Sequence, residues 1–172
     1  MKRIKQTLIF TGLFLIGFNN LSAQDVPQPD FANVPAYYIK GTNELHNLAK
    51  ESFNIVGTMN REALYELQGE KSKVRIKQTD DYIFVIKPFG EIDPSTIMQL
   101  KKMTITKKKN RQASMAQGQG LFTQSVNTSK GDVPYNLKKL GNNVFQIVPE
   151  SKLEQGEYVF IVGGTPYSFT IE

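Results

Sequence analysis

From residue 36 onward, apolar positions either alternate with polar ones or run unbroken for about five residues, and Gly, Pro, Asn or Asp closes each run. A period of two sends successive side chains to opposite faces of a strand, so the pattern predicts β-structure. Ala63, Tyr65 and Leu67 alternate with Leu64, Glu66 and Gln68. After Gly69-Glu70-Lys71-Ser72, Val74 and Ile76 alternate with Lys73, Arg75 and Lys77. These two stretches are expected to form a hairpin with one wet face. Tyr82-Ile83-Phe84-Val85-Ile86 is apolar on both faces, as a central strand is, and Pro88 ends it. Before it, Ala36-Tyr37-Tyr38-Ile39-Lys40 is β-favouring and Gly41-Thr42-Asn43 is turn material. Residues 44–51 fit two descriptions. Leu45, Leu48 and Ala49 could share a helical face capped by Asn43, or the segment could be the bulged return strand of a hairpin; the β-like flanks favour the strand.

Asp93-Pro94-Ser95-Thr96 reads as a turn or the cap of one short helical turn. Beyond it, Met98 and Leu100 fall on even positions while Met103 and Ile105 fall on odd ones. A strand that keeps both pairs in one core must absorb an extra residue, so a β-bulge is expected near Lys101-Lys102. Lys107-Lys108-Lys109-Asn110-Arg111 reads as a hairpin tip, with Ala113, Met115 and Leu121 on the return, and 112–130 is rich in Gln, Ser, Gly and Asn, as a long loop is. Tyr135 and Leu137 alternate, Gly141-Asn142-Asn143 turns, residues 144–148 form a strand, and Pro149 closes it. Residues 158–162 are apolar on both faces, Gly163-Gly164 turns, and Tyr167, Phe169 and Ile171 alternate with Ser168, Thr170 and Glu172 in what reads as a final edge strand.

Between these strands stands Leu153-Glu154-Gln155-Gly156-Glu157-Tyr158. The spacing suits a corner in which Leu153 caps the core, Gly156 lets the chain turn tightly, and Tyr158 buries its ring while its hydroxyl returns to backbone near Glu154. Seven to nine mostly hairpin-connected strands with no intervening helical pattern of about 10–15 residues predict an all-β, antiparallel β-sandwich, with a small β-barrel as the alternative.

The segment Val144-Phe145-Gln146-Ile147-Val148-Pro149 through Leu153, Gly156, Glu157 and Tyr158 resembles the strand, corner and following strand of immunoglobulin-like and fibronectin-III-like domains. From residue 37 to 172 the chain is also loosely similar to a group of uncharacterised exported proteins of Gram-negative bacteria, with a tyrosine-rich entry strand, a Gly-Glu-Tyr penultimate strand and an aromatic final one. That likeness implies a periplasmic or secreted β-sandwich without known catalysis, and it carries no functional residues. Lacking Cys and Trp, the chain departs from the disulfide-bearing immunoglobulin pattern.

The N-terminus adds a destination. Lys2, Arg3 and Lys5 precede an apolar segment over 8–18, followed by Leu21-Ser22-Ala23. This is the build of a cleaved signal peptide over 1–23, since the apolar stretch falls well short of the ~20 residues of a membrane-spanning helix. Residues 24–35, with Pro27, Pro29 and Pro35, read as an extended polar linker, leaving 36–172 as one domain. Zero Cys removes thiol chemistry, lipidation and Cys metal sites, and means that core burial rather than disulfides holds an exported fold. The formal charge of +5 includes the three basic leader residues, leaving +2, which makes no general case for nucleic acid.

Candidate chemistry is sparse. His46 is the sole histidine, there is no Gly-x-Ser-x-Gly elbow, and one His without Cys cannot supply the usual zinc set. Asp80, Asp81, Glu91 and Asp93 are read as turn residues, Gly118 and Gly120 lack the context of a phosphate loop, and no catalytic, cofactor or metal residue is assigned. Asn127-Thr128-Ser129 matches a glycosylation acceptor that matters only in a eukaryotic secretory route.

The sharpest local feature is basic: Lys101, Lys102, Lys107, Lys108, Lys109 and Arg111 form a candidate contact for an anionic surface, or a solvated tip that protects a sheet edge. The second faces of strands 82–86 and 158–162 are expected to be covered by the N-terminal segment around Tyr37 and Phe53, or else to form an apolar patch. The leading expectation is an exported, non-enzymatic binding module of the cell envelope, periplasmic or secreted, contacting an envelope protein or an anionic surface. A small-molecule or glycan module, with a site on loops 79–82, 92–96 and 112–130, is the alternative, and a hydrolase a distant third.

Overall fold

The computed structural model describes residues 26–42, 44–57, 63–115 and 131–172. The segment expected to be a signal peptide and most of loop 112–130 therefore lie outside the described residues. In chain order the strands are β1 (Ala36–Ile39), β2 (His46–Asn47), β3 (Ala49–Lys50), β4 (Asn54–Gly57), β5 (Ala63–Leu67), β6 (Arg75–Ile76), β7 (Tyr82–Ile86), β8 (Met98–Lys102), β9 (Thr104–Ile105), β10 (Arg111–Ser114), β11 (Tyr135–Gly141), β12 (Val144–Pro149), β13 (Gly156–Val162) and β14 (Thr165–Ile171). One 3₁₀ turn, Pro94–Thr96, is capped by Asp93, whose side chain accepts from the Ser95 amide.

The strands form three sheets, ordered β11-β12-β7-β1-β2, β3-β14-β13-β8 and β4-β5-β10-β9, and none closes into a barrel. Pairing is antiparallel except for β6, which runs parallel to β14. The sandwich expectation holds, with a layer beyond the two sheets expected. Phe84, Ile86 and Ile147 of the first sheet pack on Leu100, Tyr158, Phe160, Phe169 and Ile171 of the second. On the other face of the second sheet, Val159 and Ile161 meet Leu67 and Ala113 of the third, with Met103 and Phe53 beside them. Strand 158–162 thus divides its side chains between two cores, which is why it is apolar on both faces. Its second face is covered, as expected, but mainly by the third sheet. A smaller cluster of Ala36, Tyr38, Val85 and Val144 lines the outer face of the first sheet, where Val26, Leu45 and Ile83 pack.

The strand count exceeds seven to nine because long strands change sheets partway, at bends of the kind that form sandwich corners. Residues 44–51 are strand rather than helix: β2 returns against β1, Leu48 enters the main core, and β3 joins β14. The parity slip after Leu100 has a similar cause. Met98 and Leu100 face the first core, Met103 faces the second, and Ile105 is exposed, so the strand switches sheets at Met103 instead of bulging within one core.

Two pairings correct the expectation. The 63–67 and 74–76 stretches do not form a hairpin; β5 pairs with β4 and β10, and β6 with β14. Leu67 belongs to the second core and Ile76 to the first, so the intervening turn carries the chain between layers. Strand β14 is not an edge, because β13 lies on one side and β3 and β6 on the other. Residues 26–35 are packed as well as extended: Pro29 and Pro35 are buried, and the Asn33 amide donates to the Lys87 carbonyl at 2.8 Å.

Candidate functional site

The corner is formed as its spacing predicts. The Tyr158 hydroxyl donates to the Glu154 carbonyl at 3.0 Å, and Leu153 is buried in the main core. Gly156 has φ 151, a backbone few side chains adopt, and a Cβ there would stand 3.3 Å from Lys102 Cε. Lys102 closes the corner from above. Its amino group donates to Glu154 at 2.7 Å and lies 5.9 Å from the centre of the Tyr158 ring. That hydrogen bond raises the Lys102 pKa and lowers that of Glu154, whereas burial pushes the Tyr158 phenol up. These contacts hold the corner together.

The six basic residues do not form one patch. Arg111 is 1% exposed and Lys101 0%, so neither reaches a flat anionic surface. Lys102 is held by Glu154, and Lys109 lies 3.6 Å from Glu70. Lys107 and Lys108 stay exposed on the tip, where the Lys109 amide donates to the Thr106 carbonyl at 2.9 Å. A run of like charges in sequence is divided because alternate residues of β8 face opposite layers and Arg111 begins a strand rather than ending a loop.

What Arg111 does instead was not legible from its neighbours in the chain. Its guanidinium makes a two-pronged contact with Glu51 at 3.0 and 2.7 Å, donates to the Gly69 and Gln68 carbonyls at 3.0 and 2.9 Å and to Ser168 Oγ at 3.0 Å, and lies 3.8 Å from Glu157. Ser168 also bonds Glu51 and Ser72, and Thr170 donates to Glu157 at 2.8 Å. Among the described residues no buried side-chain polar atom lacks a partner. The network ties the third sheet to the second. Alternation placed Ser168 and Thr170 on a polar face of their strand, and that face is interior, opposite Arg111.

Two of the three loops expected to build a ligand site lie at opposite ends of β7. Residues 79–81 lead into β7, which begins at Tyr82, and 92–96 follow it, so a strand of roughly 16 Å separates them. Residues 116–130 of the third loop lie outside the described residues. Around the first loop is an open cleft of about 360 Å³ lined by Asp80, Asp81, Tyr82, Pro149, Lys152 and Leu153. Asp81 lies 3.5 Å from Lys40, and Asp93 is occupied in capping the 3₁₀ turn, which lowers its pKa. The His46 ring lies tilted against that of Tyr37, with ring centres 5.2 Å apart, and 3.9 Å from Glu44. No cluster of three potential metal ligands occurs among the described residues.

Large apolar side chains are exposed in the third sheet, at Ile55 of β4 and Ile105 of β9, and on the loops at the opposite end of β7. Phe89 is 69% exposed, Phe31 63% and Ile92 44%. Their loops are fastened to one another: Phe89 N–H donates to Asn33 Oδ1 at 3.0 Å, and the Asn143 amide donates to the Pro88 and Gly90 carbonyls. A broad depression lined by Ile92, Leu137, Lys139, Asn143 and Phe145 adjoins them. The signal in the sequence was an aromatic residue inside each of two Pro- or Gly-marked loops, where no core position requires one.

No family model, curated protein or solved structure matches the chain.

Proposed function

We propose that the protein is a non-enzymatic binding module of the cell envelope that docks a partner protein through the rim of Phe31, Phe89 and Ile92. The observation that carries this reading is the exposure of three large apolar side chains on loops that hydrogen bonds fasten together. Apolar groups gathered on a surface mark interaction sites, and loops on a rigid sheet are where binding residues concentrate. Fastening the loops beforehand lowers the ordering cost of association. The leader-like N-terminus supplies the location. The basic tip is the weaker surface, with two of its six members buried and two held in ion pairs.

Capture of partners from an envelope fraction tests the reading, with wild type, Phe31→Ser/Phe89→Ser, and a variant carrying Glu at 107, 108 and 109. The rim variant is expected to lose the captured proteins and the tip variant to keep them, both retaining the wild-type circular dichroism. Retention by a folded rim variant overturns the assignment. A glycan-binding reading draws on the cleft beside Tyr82, where an aromatic face adjoins two carboxylates; weaker glycan-array binding by Tyr82→Ala would support it.

A further inference from the structure

Lys101 has no exposed surface, yet its amino group meets the carboxyl of Asp132, whose side chain is 28% exposed. The backbone arranges the meeting. Lys101 and Asp132 face each other across an isolated antiparallel bridge. The Lys102 amide donates to the Gly131 carbonyl at 2.7 Å, and the Val133 amide donates to the Leu100 carbonyl at 2.9 Å. Gly131, at φ 92, permits this approach, because a Cβ there would stand 2.8 Å from the Lys102 carbonyl oxygen. In register Lys101 lies opposite Val159, so its stem shares the face on which Val159 joins Leu67, Met103, Ala113 and Ile161. A primary amine and a carboxyl are therefore held in contact at the margin of an apolar layer, on two segments that the sheet has locked in register.

We propose that Lys101 and Asp132 are a self-modification site, condensing to an isopeptide bond that staples β8 to the segment entering β11. The reaction runs through the neutral amine and acid, reached when a proton passes from the ammonium to the carboxylate it touches. The Lys101 Nζ lone pair attacks Asp132 Cγ, the C–N bond forms and one C–O bond breaks. That oxygen leaves as water, carrying the carboxyl proton and one amine proton. An ammonium and a carboxylate contain every atom of the amide and the water, so no oxidant or co-reactant is needed. Contact fixed by the fold replaces a bimolecular encounter, and well-oriented intramolecular reactions reach effective concentrations of about 10⁵–10⁸ M. In a chain with no Cys, such a bond serves where an exported protein would otherwise use a disulfide.

The intact mass of the purified full-length product, referred to its sequenced N-terminus, decides the matter together with a tryptic map. The expected mass is lower than the residue sum by one water, with a branched peptide joining the segments that hold Lys101 and Asp132 and no cleavage after Lys101. Lys101→Arg and Asp132→Ala are each expected to restore the full mass. A wild-type mass equal to the residue sum with separate linear peptides, or a water loss mapped elsewhere, overturns the proposal. Because the wild-type mass alone is decisive, a variant that fails to fold leaves the test intact.

Discussion

Removing only the hydroxyl of Tyr158 isolates the corner's contribution. Tyr158→Phe keeps the ring that stacks on Phe169, with centres 5.5 Å apart, and leaves the Glu154 carbonyl without its donor. The expected loss is about 1–1.5 kcal/mol, read as a lower midpoint in urea with an unchanged slope. At this scale the sequence was most legible where spacing encodes a local device: Leu153, Gly156 and Tyr158 form one within six residues. Arg111 was least legible, because its partners Glu51, Gln68, Gly69 and Ser168 come from segments far apart in the chain. A charge beside lysines looks like part of a basic run until the fold shows which layer it enters.

Among the elements, the two tightest hairpins carry their reason in their composition. Asn142 and Asn143 both have positive φ, 47 and 58, as do Gly163 and Gly164, at 55 and 82. Two-residue connections with this backbone twist match the flanking strands, and Asn and Gly are the residues that tolerate it. The third tip departs from that rule, because Lys109 sits at φ 62, where a lysine is strained. Lys109→Gly is expected to stabilise the protein by about 0.5–1 kcal/mol, seen as a higher thermal midpoint, since relief of strain slightly exceeds glycine's entropy cost. Existence and position of strands were readable from periodicity. Partners were not: β5 and β6 have the composition of a hairpin, but their inward residues belong to different cores.

For the whole molecule, burial makes alkaline pH the vulnerable side. All seven tyrosines have phenols pushed up by desolvation, Tyr135 to about 12 while its hydroxyl donates to the Met98 carbonyl at 2.7 Å. A folded pKa above the unfolded value of about 10 means that the unfolded chain releases its protons first. The stability these groups contribute is therefore whole below about pH 10 and is lost as pH rises from there through their raised folded values, about 12 for Tyr135. Denaturant midpoints should fall as pH rises above about 10, with phenolate absorbance of the folded protein lagging behind that of the unfolded chain. Tyr135→Phe should flatten the profile. Phenolate absorbance that develops fully near pH 10 in the folded protein would contradict this.

The sequence by itself determined an all-β chain, the central strands 82–86 and 158–162, the corner and the turns at 141–143 and 163–164. Each follows from contacts between residues near in the chain or from a period of two, and such physics is written locally. Only the tertiary structure decided that the described strands fall into three sheets, that the alternate face of β14 is an interior polar seam, and that Lys101 and Arg111 are buried while Phe31 and Phe89 are exposed. A strand's sequence records that it has two faces. What covers each face depends on segments up to about a hundred residues away, and their arrangement minimises exposed apolar area over the molecule as a whole.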